Sequence, residues 1–86
     1  GVMVGATHLS VGTLAQALAA AIGETIVDVR YHRGLWGVMV PVGNIMVKVP
    51  GSFHNTPEEA LSYCLQRWAE RSPARPFLFG EPEREA

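Results

Sequence analysis

Apolar residues recur at helical spacing towards both ends of the chain and at every second position between them. In the first helical stretch Leu14, Leu18 and Ile22 form an i, i+4, i+8 row. Ala15, Ala17 and Ala19–Ala21 add helix-forming residues small enough for close packing. Ser10 reads as N-cap, with Thr7 as the alternative, and Gly23 suits the position just past the end, so a helix is predicted from Ser10 or Val11 to Ile22. The second stretch opens on Thr56-Pro57-Glu58-Glu59. Thr stands at N-cap, Pro at the first helical position and Glu at the third, with both acids where the helix dipole is positive. Leu61, Cys64, Leu65 and Trp68 then mark one apolar stripe, and Ser72-Pro73 ends a helix predicted over Pro57–Arg71.

Between the helices the period changes to two. Val27, Val29 and Tyr31 alternate with Asp28, Arg30 and His32, and Arg33-Gly34 and Gly43-Asn44 read as tight turns. A two-residue loop at 33–34 pairs Tyr31 with Trp36, Val29 with Val38 and Val27 with Val40. A two-residue loop at 43–44 pairs Val42 with Ile45, Val40 with Val47 and Val38 with Val49. Both hairpins assign the same residues of the middle strand to one face, and a slip of one residue would destroy that agreement. The expected core face is Val27, Val29, Tyr31, Trp36, Val38, Val40, Val42, Ile45, Val47 and Val49. Pro41 has no N–H to offer Ile26, so pairing should fade there and the first strand should begin near Val27. The order α-β-β-β-α predicts an α+β fold: a three-stranded antiparallel meander with two helices packed on one face.

The opposite face would then hold Asp28, Arg30, His32, Leu35, Gly37, Met39, Pro41, Met46 and Lys48. Four of these, Leu35, Met39, Pro41 and Met46, are apolar, more than an open antiparallel face usually shows to water. The functional reading is a contact surface for a second copy or another protein, since Met adapts well to such contacts. The bland reading is scattered exposed apolar residues. Phe77, Leu78 and Phe79 are the other apolar group that needs a docking place, on the domain's own flank or on another chain.

Length and composition set the limits. Eighty-six residues make one domain, with residues 10–72 as its body, 1–9 as an N-terminal arm or edge strand, and 73–86 as a Pro-rich tail. Gly1-Val2 ahead of Met3 reads as a cloning or protease scar. With 48% apolar and 17% charged residues the chain is not of the disordered type. A net charge of −1 disfavours a general electrostatic grip on nucleic acid or an anionic membrane, and no apolar run is long enough to span a bilayer. One cysteine makes no internal disulfide, so a reducing cytoplasm is the expected compartment.

Catalytic and metal constellations are not evident. His8, His32 and His54 lack an i, i+4 partner, and no cofactor is expected. Cys64 lies on the apolar stripe, where cysteine acts as a small hydrophobe rather than a nucleophile. Gly5 and Gly12 are followed by no phosphate-loop lysine. The loop Pro50–Asn55 leads into a helix N-terminus, a generic anion-friendly place, and a pocket lined by His54, Ser52 and a carboxylate would mark a small-ligand binder.

In topology the chain resembles the double-stranded-RNA-binding domain, which implies phosphate contacts from lysines at the start of the second helix. The matching positions here are Pro57, Glu58 and Glu59, which repel a phosphate backbone, so nucleic acid is not an expected partner. Residues 25–70, with Val49-Pro50-Gly51 leading to Thr56-Pro57-Glu58-Glu59-Ala60-Leu61, are similar to the strand-to-helix junction of HicB-type antitoxins. That likeness implies a toxin-neutralising module, although a helix precedes the strands here. The leading expectation is a non-enzymatic interaction module, self-associating as a homodimer or binding another protein through Asp28, Arg30, His32, Leu35, Met39, Pro41, Met46 and Lys48. Small size without a catalytic constellation fits an accessory protein of a mobile element or phage. The alternatives are the antitoxin-like module, a nucleic-acid binder using Arg30, His32, Arg33 and Lys48, and a ligand binder beside His54.

Overall fold

A computed structural model describes residues 10–72. The elements run α1 (Val11–Ile22), β1 (Asp28–His32), β2 (Leu35–Val42), β3 (Ile45–Lys48) and α2 (Pro57–Ala69), and the strands form one antiparallel sheet in the order β1-β2-β3. The N-terminal arm and the 73–86 tail, with Phe77, Leu78 and Phe79, lie outside the described residues.

Both helices start and stop for local reasons. The Ser10 hydroxyl accepts from the Thr13 N–H at 3.1 Å, satisfying one orphan donor of the first turn. Gly23 takes the left-handed conformation at φ 79°. Its N–H reaches the Ala20 carbonyl and the Glu24 N–H reaches that of Ala19, a six-to-one, five-to-two closure of the helix end. Thr56 caps α2 by accepting from the Glu59 N–H at 3.1 Å, with Pro57 next in line. The helix stops at Ala69, two residues before the predicted end. Arg71 turns back there: its Nη1 donates to the Trp68 carbonyl at 2.7 Å while the guanidinium lies 3.8 Å from the Trp68 ring centre.

The sheet has the register read from the two turns. Tyr31 faces Trp36, Val29 faces Val38, Val40 faces Val47 and Val42 faces Ile45. Ladder pairing of β1 begins at Asp28 opposite Met39 and stops short of Pro41, which has no N–H to give. Arg33 (φ 54°) and Gly34 (φ 86°) both have positive φ, the requirement of a type I′ hairpin turn. At the second turn Gly43 (φ 64°) is left-handed and Asn44 is not, the pattern of type II′.

One hydrophobic core forms between the helices and one face of the sheet. Leu14, Leu18 and Ala19 of α1 meet Ala60, Leu61 and Cys64 of α2 over Val27, Val38, Val40 and Val49. Val29, Trp36 and Val47 are half-buried against this cluster. The ten-residue core face therefore needs correction at its ends, because Tyr31, Val42 and Ile45 are 62%, 41% and 60% exposed. Alternation fixes the side to which a residue points, but the short helical layer covers only the middle of the strands. Tyr31 instead packs its ring at 5.1 Å on Trp36. Among the described residues no helix is long and apolar enough to cross a membrane.

Candidate interaction face

The pleat sends Leu35, Gly37, Met39 and Pro41 of β2 to the side away from the helices. Their cross-strand neighbours there are His32, Arg30 and Asp28 on β1, and Met46 and Lys48 on β3. The sheet thus brings the expected face residues together. Met39, Pro41 and Met46 are half-buried, and Leu35, His32, Arg30 and Lys48 are exposed.

One apolar member of this face was not legible as such. Phe53 lies over Gly37, so closely that a Cβ on Gly37 would stand 2.7 Å from the ring's Cε1. The path that places it there is an irregularity after β3. Val38 is engaged by Val49, whose N–H donates to the Val38 carbonyl at 2.9 Å, yet Trp36 exchanges both backbone hydrogen bonds with His54 rather than with Gly51. The intervening chain bulges out through a turn at Gly51 (φ 79°). Ser52 repairs the gap. Its side chain is fully buried, its Oγ accepts from the Val38 N–H at 3.0 Å, and its N–H donates to the Val49 carbonyl at 3.2 Å. A glycine inside a strand was the available signal, since it marks close approach by another group.

The charged groups sit at the flanks. The Arg30 Nε donates to Asp28 Oδ2 at 2.9 Å, and Asp28 Oδ1 accepts from the Val29 N–H at 2.9 Å. On the other flank Lys48 Nζ stands 4.7 Å above the Phe53 ring. Asp28, Met39 and Lys48 occupy one row across the three strands.

A second concavity lies beside the face. An open groove of about 550 Å³ runs between the β1–β2 turn and α2, lined by Leu35, Phe53, His54, Asn55, Glu59, Ser62, Tyr63 and Gln66. His54 Nδ1 is 2.8 Å from the Ser52 carbonyl, and because a carbonyl only accepts, Nδ1 carries the hydrogen. The His54 and Tyr63 rings are 5.0 Å apart, and the Tyr63 hydroxyl accepts from Arg67 at 2.8 Å. His54 and a carboxylate thus line one groove as expected, whereas Ser52 belongs to the core beneath it. Glu59 and Tyr63 also line the groove, and their i, i+4 spacing on α2 is the signal in the chain that sets them on one face.

Among the described residues no group of three His, Cys, Asp or Glu side chains is arranged to hold a metal ion. Cys64 is buried among apolar side chains. Burial pushes its thiol up to about 12, against a smaller opposing pull from Arg67, so it stays a protonated hydrophobe at neutral pH. Comparison with protein-family models, with curated proteins and with solved structures finds no match to the chain.

Proposed function

We propose that the chain is a small non-enzymatic interaction module that docks a protein through the sheet face opposite its helices. One observation carries this reading: Leu35, Met39, Pro41 and Met46, with Phe53 packed over Gly37, make an apolar strip on a face over which, among the described residues, no helix lies. The strip has the anatomy of an interface, with an apolar centre, adaptable methionines and charges confined to the rim. Burial of the strip supplies the driving force, and Asp28, Arg30 and Lys48 set orientation. A phosphate backbone is a poorer occupant. Asp28 already matches Arg30, and Glu58 and Glu59 stand at the start of α2. The test is a photo-crosslinking residue placed at Met39 or Met46, with the exposed Gln16 of α1 as control. Protein adducts from position 46 that Met39→Lys abolishes, and from position 39 that Met46→Lys abolishes, are the expected result. Equal labelling from Gln16, or none from the sheet, ends the proposal.

The groove supports a second reading, as a site for a small polar ligand, because the Ser52 carbonyl engages His54 Nδ1 and leaves Nε2 as the ring nitrogen open to a ligand. Small amides and alcohols titrated against labelled protein should then shift His54 and Tyr63 resonances together. Absence of such shifts removes this reading and leaves the docking face standing.

A further inference from the structure

We infer that the occupant of the sheet face is a second copy of the same chain, related to the first by a two-fold axis parallel to β2. This rests on the reading of that face as a docking surface. The row Asp28–Met39–Lys48 places an acid on one flank, a thioether at the centre and a base on the other flank. Neighbouring strands lie about 4.8 Å apart and packed sheets about 10 Å apart, so facing flanks come within reach of a Lys side chain. Two-fold rotation about an axis along β2 exchanges the flanks. Met39 then meets the partner's Met39, Asp28 meets the partner's Lys48, and the same ion pair forms again on the other side. An axis across the strands would instead set Asp28 on the partner's Asp28 and Lys48 on the partner's Lys48. Charge alone chooses between the two arrangements.

One further detail agrees with the chosen axis. The Asp28 carboxylate accepts from the Val29 N–H and from Arg30, which leaves lone pairs for one more donor. Aligned packing of two sheets through interdigitating apolar side chains is a common solution for such faces.

The experiment is sedimentation of the wild-type chain from low to high micromolar concentration, with Asp28→Lys and Lys48→Asp run singly and mixed. The wild type should dimerise. Each single variant faces like charges across the axis and should be monomeric, and an equal mixture should form a one-to-one heterodimer. Circular dichroism checks that each variant is folded. If either is not, the neutral pair Asp28→Asn and Lys48→Gln replaces them and should weaken the dimer on the order of tenfold. A monomeric wild type overturns the second-copy inference. Adducts from position 39 to a different protein would then still uphold the docking reading, whereas their absence would remove both. For the axis, Asp28→Cys mixed with Lys48→Cys should form an intermolecular disulfide between the two chains, and Asp28→Cys that links instead to its own copy overturns the axis.

Discussion

Ser52 is the residue on which the irregular part of the sheet turns. It is a buried polar side chain whose hydroxyl takes the place of a strand carbonyl for the Val38 N–H. Ser52→Ala leaves that N–H without a partner and should lower stability by about 1–3 kcal/mol, read from the urea midpoint. Gly37 and Phe53 act as a unit. Gly37→Ala should displace the ring and destabilise by about 1–3 kcal/mol, while the same change on a Phe53→Ala background should cost much less, a coupling visible in a double-mutant cycle. Cys64 gives a pH signature. The folded thiol keeps its proton until about pH 12, whereas the unfolded thiol releases it near 9.0. Above pH 9 the folded state therefore binds more protons than the unfolded one, so this contribution is whole below pH 9 and is lost as pH rises towards 12. Denaturant midpoints measured across that window should fall more steeply for the wild type than for Cys64→Ala.

At the level of elements most of the architecture was readable, because each device is local. Thr56-Pro57 starts α2, Gly23 ends α1, and two turns set the register of three strands. The exceptions share a cause. Helix α2 ends two residues before the point its pattern predicts, because Arg71 caps the Trp68 carbonyl and lies on the Trp68 ring instead of extending the helix. The bulge after β3 escaped because Pro50–Asn55 carries no periodicity, and its shape depends on Ser52 finding Val38. The first turn holds a testable strain. Arg33 sits at φ 54°, where a side chain with a Cβ is disfavoured and Asn is better tolerated. Arg33→Asn should raise stability by about 0.5–1 kcal/mol in thermal or urea unfolding.

For the whole molecule the core is a single cluster to which both helices, β2 and the residues flanking β1 and β3 contribute, so its loss should be cooperative. A chain of this length is stable by roughly 4–13 kcal/mol, and Leu18, fully buried in α1, should cost about 2–5 kcal/mol when cut to Ala. Far-ultraviolet dichroism and the fluorescence of Trp36 and Trp68 should report the same lowered midpoint. The candidate face was legible as a set of residues, since strand alternation sorts Leu35, Met39, Pro41 and Met46 away from the valines. Its shape was not. That Phe53 fills the space over Gly37 and meets Lys48 with its ring face follows from the bulge after β3, whereas the row Asp28–Met39–Lys48 follows from the register alone. Periodicity and turn chemistry act over a few residues, so the chain by itself determined the five elements, their register and the side to which each strand residue points. How far the helices cover the sheet, which leaves Tyr31, Val42 and Ile45 outside, and what gathers around Ser52 and His54 were decided by tertiary packing. Those contacts join residues distant along the chain, and no local pattern encodes them.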